Sequence, residues 1–152
     1  MALSTTLPAK RRSKTDKPYR LDDQVGFILR QVGQRHTTIF AAGIDAEITP
    51  TQWAALAKLF EVGPLSQNLL GRQTAMDAAT IKGVVDRLTR RGFTETSQDR
   101  EDGRRLLVTL TEAGAELVER IAPLATAITE ETLQPLTQDE RETLLGLLRR
   151  LR

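Results

Sequence analysis

Apolar residues recur at helical spacing through most of the chain, and this pattern predicts about six helices. The first helix is predicted over residues 22–42. Its apolar stripe consists of Val25, Ile28, Leu29, Val32, Ile39 and Phe40. The second helix begins at the capping box Thr49-Pro-Thr-Gln52, in which proline takes the first helical position, and it ends at Gly63-Pro64. Its predicted buried face consists of Trp53, Leu56, Ala57 and Phe60.

Two long helices close the chain. The fifth helix begins at Thr111, and Pro123 within it predicts a kink rather than an end, because the apolar pattern resumes beyond the proline. Its stripe consists of Leu117, Ile121, Leu124 and Ile128. After Pro135, the capping box Thr137-Gln-Asp-Glu140 opens the sixth helix. This last helix has more leucines than one small core needs, at Leu144, Leu145, Leu147, Leu148 and Leu151.

Two shorter helices lie between these pairs. The third is predicted over residues 66–73, with Leu69 and Leu70 inward. Asp77 then caps a fourth helix, and Gly92 provides its C-terminal stop. The inward stripe of this helix is Ile81, Val84, Val85 and Leu88. Its opposite face is Ala78, Ala79, Lys82, Gly83 and Asp86. Small residues around one long cation let a backbone approach another surface closely, which a helix in a DNA major groove requires.

The residues after Gly92 predict a β-hairpin. A charged tip over residues 98–103 separates its two strands, and the second strand alternates in hydrophobicity at Leu106, Val108 and Leu110. Three arginines lie at or beside the tip: Arg100, Arg104 and Arg105. A pair of short helices followed by such a hairpin is typical of a winged helix-turn-helix. In that arrangement, arginines of the wing can enter the narrow, electronegative minor groove.

The wing sequence resembles one protein family. The run from Asp102 to Gly114 is similar to the wing signature of the MarR family, in which Asp-x-Arg is followed at a fixed distance by Leu-Thr-x-x-Gly. The resemblance extends over residues 21–151. It implies a mainly α fold with a small β-hairpin wing, in which a winged helix-turn-helix lobe is joined to a helical dimerisation region.

The resemblance also implies an organisation of the chain. A single domain over residues 21–152 would follow a basic tail over 1–20. Within this domain the winged helix-turn-helix would occupy 49–110, and the dimerisation helices would occupy 21–48 and 111–152. We therefore expect a homodimer whose two recognition helices read a pseudo-palindromic operator in double-stranded DNA.

Predicted DNA contacts come from the fourth helix, the third helix and the wing. The fourth helix would supply groove contacts and close approach through Ala79, Thr80, Lys82 and Gly83. Phosphate contacts that set register are predicted for Ser66, Gln67 and Gln73. For the arginines near the end of the fourth helix, contact with the DNA backbone and pairing with acidic side chains both remain open: Arg87, Arg90 and Arg91.

The wing has a separate predicted role. Arg104 is expected in the minor groove, and Arg100 and Arg105 on phosphates. Asp102 is expected to orient the wing by pairing with Arg104.

Composition limits the possible classes of protein. A chain of 152 residues, 39% hydrophobic and 28% charged, is ordinary for one soluble globular domain. The absence of cysteine excludes disulfides, thiolate metal sites and oxidant-sensing thiols. The net charge of +2 is too small to indicate nucleic-acid binding, so that argument depends on where the cations lie.

The ends of the chain give further expectations. Residues 1–20 contain six cations and one acid among Ser, Thr and Pro, a composition typical of a disordered tail that either stays solvated or adds phosphate contacts. The chain has no apolar run of membrane-spanning length and no apolar signal core. We therefore expect a cytoplasmic protein without a membrane partner, associated with the nucleoid when it binds its operator.

An effector site is predicted on the first helix. His36 lies on its apolar stripe, which is compatible with a hydrogen-bonded histidine in a core or dimer seam. The alternative is that His36 and Arg30 flank a cavity and bind an anion, with Arg35 a competitor for Arg30 and Trp53 on the cavity wall. Some MarR members that respond to aromatic acids have a similar Arg and His pair. The resemblance thus implies a repressor released by a small aromatic carboxylate or its coenzyme A thioester.

Other classes of function fit the sequence less well. An enzyme is disfavoured because the chain has a single histidine, no cysteine and no glycine-rich phosphate loop. The carboxylates near the wing tip are also predicted on an exposed turn, which is a poor position for acid–base catalysis. A metal-dependent protein would need more nitrogen ligands than one histidine offers, and no cofactor is expected. The remaining alternative is an architectural or constitutive DNA-binding protein without an effector, and only the Arg30 and His36 pair argues against it.

Overall fold

Six α-helices and three short strands make up the described part of the chain, residues 18–44 and 48–152 of a computed structural model. The helices are α1 Val25–Gly43, α2 Pro50–Val62, α3 Gln67–Gln73, α4 Ala78–Arg90, α5 Glu112–Leu133 and α6 Gln138–Arg150. The strands are β1 Leu65–Ser66, β2 Thr94–Gln98 and β3 Leu106–Leu110. This architecture confirms the predicted fold class. The predicted tail lies outside the described residues, except for its last three.

Hydrogen bonds within a single turn begin α2 and α6 where the sequence predicts. The first helix begins at Val25 rather than at residue 22, because residues 21–23 form a 3-10 turn and Gln24 provides no side-chain cap. At the start of α2, Thr49 Oγ1 accepts from the N–H of Gln52 at 3.2 Å, and the Gln52 side chain accepts from the N–H of Thr49 at 3.1 Å. Thr137 and Glu140 repeat this capping box at α6, and the hydrogen bonds from Thr137 lower the pKa of the Glu140 carboxyl below its ordinary value. Both predicted capping boxes are therefore confirmed.

The core lies where α2 packs against α4 and α5 and where these helices meet the sheet. Its largest fully buried side chains are Leu56, Leu70, Ile81, Val84, Leu88 and Ile121. The predicted inward stripe of α4 is confirmed, because each of its four members is at most 5% exposed. The carbonyl of Gly71 accepts from the N–H of Met76 at 2.9 Å and closes the turn from α3 to α4.

The wing belongs to a three-stranded antiparallel sheet with the order β1-β3-β2. Val108 in the central strand pairs with Leu65 on one side and with Thr96 on the other. The sequence predicts only the β2–β3 hairpin, because a two-residue strand has no detectable alternation. The predicted half-burial of Leu106 is wrong, because this side chain is 58% exposed. Leu106 begins β3 next to the wing tip, where the strand lies away from the core.

The buried face of α2 differs from the predicted one. The buried residues are Gln52, Ala55, Leu56 and Leu59, whereas Trp53 and Ala57 are partly buried and Phe60 is 48% exposed. Apolar residues surround most of this helix, so periodicity alone does not select one face. Gln52 tolerates burial because its amide forms the capping box.

Apolar side chains of α1, α5 and α6 remain exposed in a single copy of the chain. We call these residues the terminal apolar surface: Val25, Ile28, Leu29, Val32, Leu124, Leu147, Leu148 and Leu151. The predicted burial of the α1 and α5 stripes is thus only partly correct, because α1 buries just Ile39 and Phe40. No residue of α6 is buried. Among the described residues, no helix is both long and apolar enough to cross a membrane.

Candidate nucleic-acid interface and adjoining cavity

Helix α4 presents its small polar face to solvent. Asp77 caps it as predicted, since its Oδ1 accepts from the N–H of Thr80 at 2.7 Å. This hydrogen bond, with a second from the Thr80 side chain, lowers the pKa of the Asp77 carboxyl below its ordinary value. The cap therefore remains ionised and in place at neutral pH. Ala79, Thr80 and Lys82 are exposed, and Gly83 is half-buried.

The one long cation of this face is held by a weak contact. Lys82 Nζ lies 2.7 Å from a carboxylate oxygen of Asp86, one turn further along α4, and the two side chains are 65% and 49% exposed. An exposed pair of this kind contributes about 0.3–0.5 kcal/mol. Lys82 can therefore exchange Asp86 for another acceptor at little cost. A Cβ added to Gly83 would lie 3.6 Å from Arg87 Nη2, so Arg87 folds over that position.

Main-chain hydrogen bonds shape the wing tip. The carboxylate of Asp102 accepts from the backbone N–H of Arg104 at 3.1 Å, so Asp102 pairs with Arg104 through the main chain and not through an ion pair with its guanidinium. An aspartate reaches the main chain two residues on more readily than it reaches a long side chain that points to solvent. Asp99 accepts from the N–H of Glu101 in the same way at 2.9 Å. The guanidinium of Arg104 is consequently left exposed at the tip, as are those of Arg100 and Arg105.

A concavity of about 830 Å³ separates α4 from the wing. It brings together three predicted phosphate contacts, Ser66, Gln67 and Arg105. It also contains Asn68, Thr89 and Arg90. Sequence reasoning missed Asn68 and Thr89, because they join this surface only when β1 pairs with β3. Gln73 lies at the opposite end of α3 and does not line the concavity.

A second cavity, of about 360 Å³, lies between α1, α2 and α5. Its lining includes His36, Phe40 and Trp53, so two of the four predicted effector residues come together. Arg30 and Arg35 do not line it. The guanidinium of Arg35 donates to the carbonyl of Glu131 at 3.1 Å. Within the described part of the chain, the guanidinium of Arg30 makes no hydrogen bond or ion pair.

Helix α5 forms the opposite wall of this cavity. Ala122, Ala125, Thr126 and Thr129 line it at helical spacing, on a different face from the buried Leu117 and Ile121. The sequence analysis did not identify this row, although three or four residues separate its members as a helix face requires. Their small size leaves the space that the cavity occupies. Within the described ranges, no three His, Cys, Asp or Glu side chains gather closely enough to hold a metal ion.

Known proteins are similar to this chain in both sequence and fold. A model of the MarR family matches residues 48–106. The HTH-type transcriptional repressor NicR of Pseudomonas putida is 42% identical over 135 residues, which cover 88% of this chain and 85% of NicR.

Two solved structures extend the comparison. A probable transcriptional regulator from Pseudomonas aeruginosa is 58% identical, with a TM-score of 0.85 over 88% of this chain and 100% of that one. Bordetella bronchiseptica BpsR, whose DNA binding is regulated by 6-hydroxynicotinic acid, is 40% identical, with a TM-score of 0.85 over 89% of this chain and 97% of BpsR. The chain therefore belongs to the MarR family, whose members are DNA-binding transcriptional regulators and not enzymes.

Proposed function

We propose that this chain is a repressor that binds a pseudo-palindromic operator as a homodimer and is released by a small aromatic carboxylate or its coenzyme A thioester. The observation that carries the DNA-binding part is the exposed face of α4 beside an arginine-bearing wing. The sign of regulation is supported by the likeness to NicR, which is a repressor.

The proposed DNA contacts divide between base edges and backbone. Thr80 and Lys82 would enter the major groove, and Ala79 and Gly83 would let α4 approach it closely. Arg104 would occupy the minor groove, oriented by the turn around Asp102. The remaining proposed residues would contact phosphates from both sides of the 830 Å³ concavity or its rim: Ser66, Gln67, Gln73, Arg87, Arg100 and Arg105.

Gly83→Ala tests the close approach of α4. The added methyl meets only the flexible end of Arg87, so the variant should be more stable than the parent by about 0.5–1 kcal/mol, as expected for alanine in a helix interior. Operator affinity should nevertheless fall roughly fivefold, because the methyl occupies space against the DNA. Urea unfolding and fluorescence anisotropy at fixed salt measure the two effects. Unchanged operator affinity would show that Gly83 does not lie against the DNA.

Homodimer formation is supported by the terminal apolar surface. Val25 on α1 is 65% exposed and Leu151 directly after α6 is 74% exposed, and both helices carry further exposed apolar side chains. Contiguous apolar patches on one copy of a chain are typical of an interface with another. A dimer related by a two-fold axis would present two copies of α4 to successive major grooves about one helical turn apart.

The effector is proposed to bind in the 360 Å³ cavity between α1, α2 and α5. Its volume lies within the range of small-molecule sites, and the ring of Trp53 and the small residues of α5 suit a planar aromatic compound. The BpsR likeness supports a hydroxylated pyridine carboxylate or a related acid. Arg30 and Arg35 would reach the acid group from the rim of the site, where Arg30 has no competing contact among the described residues.

Release from DNA would follow from linkage between the two sites. The cavity lies between helices of the DNA-binding lobe and the helices that carry the terminal apolar surface. A ligand that binds more tightly when the two α4 helices are misaligned with successive major grooves would lower operator affinity. Its differential affinity for the two arrangements sets the size of this effect.

Arg30→Ala tests whether this arginine contributes to the effector site. We expect the effector concentration for half-release to rise about tenfold, which corresponds to losing one charged hydrogen bond of about 1.4 kcal/mol. Lys58→Ala is the matched comparison, because it removes one positive charge from α2 at a side chain that pairs with Glu61 and does not line the cavity. Equal effector sensitivity in Arg30→Ala and the parent would exclude Arg30 from the site.

Fluorescence anisotropy tests the proposed function as a whole. The purified chain is titrated at fixed salt onto a labelled duplex from upstream of its own gene, with a scrambled duplex as control. Candidate effectors are then added: benzoate, nicotinate, 6-hydroxynicotinate and their coenzyme A thioesters. Selective binding with release by one compound supports the proposal. Selective binding that none of them disturbs indicates a regulator without such an effector, and the absence of selective binding would overturn the assignment as a repressor at this site.

A further inference from the structure

The hydrogen bonds around His36 determine where its ring carries a proton. The hydroxyl of Thr132 donates its one hydrogen to the carbonyl of Ile128 at 2.8 Å. The same Oγ1 lies 2.9 Å from His36 Nδ1. Both contacts are hydrogen bonds at the same time only when Thr132 donates to Ile128 and accepts from Nδ1–H. The neutral tautomer that satisfies both contacts carries its hydrogen on Nδ1 and a lone pair on Nε2.

The cavity beside this ring offers few hydrogen-bond donors. Thr126 and Thr129 donate their hydroxyl hydrogens to the carbonyls of Ala122 and Ala125, at 3.1 and 3.3 Å, so each would have to give up that bond to donate to a ligand. The indole N–H of Trp53 makes no hydrogen bond within the described part of the chain. A carboxylate has only acceptors and needs donors opposite each oxygen. With His36 neutral, the indole is the one donor on the described lining that is not already engaged.

We infer that His36 takes up a proton on Nε2 when a carboxylate effector binds in this cavity. The inference rests on the proposed effector function. The proton comes from the buffer, and the resulting imidazolium donates to the carboxylate through Nε2 while Nδ1–H stays on Thr132. The neutral ring could donate from Nε2 only by moving its single N–H away from Thr132. Thr132 thus acts as a positioning residue that couples ligand binding to proton uptake.

Charged groups around His36 lie outside the cavity lining. On α1, Arg35 is bonded to the carbonyl of Glu131, and Arg30 lies about 9 Å of helix rise from His36. On α5, Glu130 is paired with Arg141 at 2.6 Å. The other charged residues of the elements packed against α1 and the cavity are Arg20, Asp22 and Asp23 before α1, Glu112, Glu116, Glu119, Arg120 and Glu131 on α5, and the Lys58–Glu61 pair on α2. Among the described residues, none of these lines the cavity. The arginines proposed at the rim would add to the hydrogen bond from the imidazolium rather than replace it.

Nuclear magnetic resonance tests the tautomer directly. His36 is the only histidine in the chain, so a long-range ¹⁵N–¹H spectrum of the histidine-labelled full chain needs no assignment. At about pH 8, above the range in which histidine ordinarily changes charge, we expect the Nδ1–H tautomer. A ring protonated mainly on Nε2 would overturn the inference.

Calorimetry tests the proton uptake. 6-Hydroxynicotinate, nicotinate and benzoate are titrated into the full chain at about pH 8, in phosphate and in Tris, whose ionisation enthalpies differ. The difference in binding heat should correspond to about one proton taken up per site, and affinity should fall about tenfold per pH unit on the alkaline side. Binding with no proton uptake would overturn the inference while leaving the effector proposal intact. If none of the three compounds binds, both the proton-uptake inference and the effector proposal are contradicted.

Thr132→Val separates the positioning role from a structural one. Valine keeps the shape and removes the acceptor, so the neutral ring is free to carry its hydrogen on Nε2 and donate to the carboxylate without taking up a proton. Uptake should fall below about half a proton per site while binding persists. Thr38→Val is the control, because Thr38 is exposed and donates to the carbonyl of Gln34 in the same i to i−4 way. Unchanged uptake in Thr132→Val would contradict the coupling.

Discussion

Replacing Arg104 with alanine is expected to weaken operator binding by about 1–3 kcal/mol, or roughly 5- to 150-fold, without unfolding the protein. Its backbone N–H is held by the Asp102 carboxylate at 3.1 Å, and its side chain is exposed at the wing tip. The substitution therefore removes a guanidinium while leaving the turn that presents it. An arginine in the narrow, electronegative minor groove contributes through both charge and shape.

The measurement is fluorescence anisotropy on the operator duplex at several salt concentrations. Loss of one ionic contact should also reduce the salt dependence of binding by about one unit of slope. Lys58→Ala is the control, since it removes one positive charge from α2, where Lys58 pairs with Glu61 at 2.6 Å. If Arg104→Ala and Lys58→Ala bind the operator equally well, the wing does not contact DNA through Arg104.

Gly114→Ala is expected to destabilise the protein by about 3 kcal/mol, at the upper end of what overpacking costs. A Cβ at this position would lie 2.0 Å from the carbonyl oxygen of Phe93, which is main chain and cannot rotate away. That oxygen also accepts from the N–H of Thr111 at 3.1 Å, and Thr111 in turn caps α5. Accommodating the methyl group therefore requires α5 to move away from the start of the wing.

Urea unfolding at a fixed protein concentration measures this effect. Gly83→Ala supplies the matched control, because the same change on α4 meets only a side-chain end at 3.6 Å and should raise stability. The two variants should shift the unfolding midpoint in opposite directions. A midpoint for Gly114→Ala equal to that of the parent would mean that α5 and Phe93 do not approach as closely as the structure indicates.

This contact also explains why the wing signature ends in glycine. Sequence reasoning matched Gly114 as part of a pattern, but it had no physical account of the residue. The account depends on Phe93, which lies twenty-one positions earlier and approaches Gly114 only after β2 and β3 pair. The resemblance to the wing signature thus indicated that a glycine belongs there, whereas the physical reason for it lies in the packed structure.

The proposed effector site was predictable only in part. His36 and Trp53 were both identified from the sequence, and they line one cavity. The sequence did not indicate the threonines and alanines of α5 that complete the cavity lining. Small residues on a second face of the helix add little to a hydrophobic pattern that the Leu and Ile stripe of α5 dominates. The role of Thr132 depends on a contact across ninety-six residues, which no local pattern contains.

The sequence alone determined where α2, α4, α5 and α6 begin and which face of α4 is buried. The caps at Thr49, Asp77, Thr111 and Thr137 each form within one turn, so the residues that make them are neighbours in the chain. The apolar stripe of α4 is equally local, because its other face is small and polar.

Tertiary structure decided the rest. It selected the buried face of α2, which is apolar on most sides, and it left the terminal apolar surface uncovered in a single copy of the chain. It also joined His36 to Thr132 and brought Gly114 against Phe93. The physical reason is that capping and amphipathicity depend on residues a few positions apart. Burial, close approach and the choice of tautomer depend on atoms that meet only after distant segments have packed.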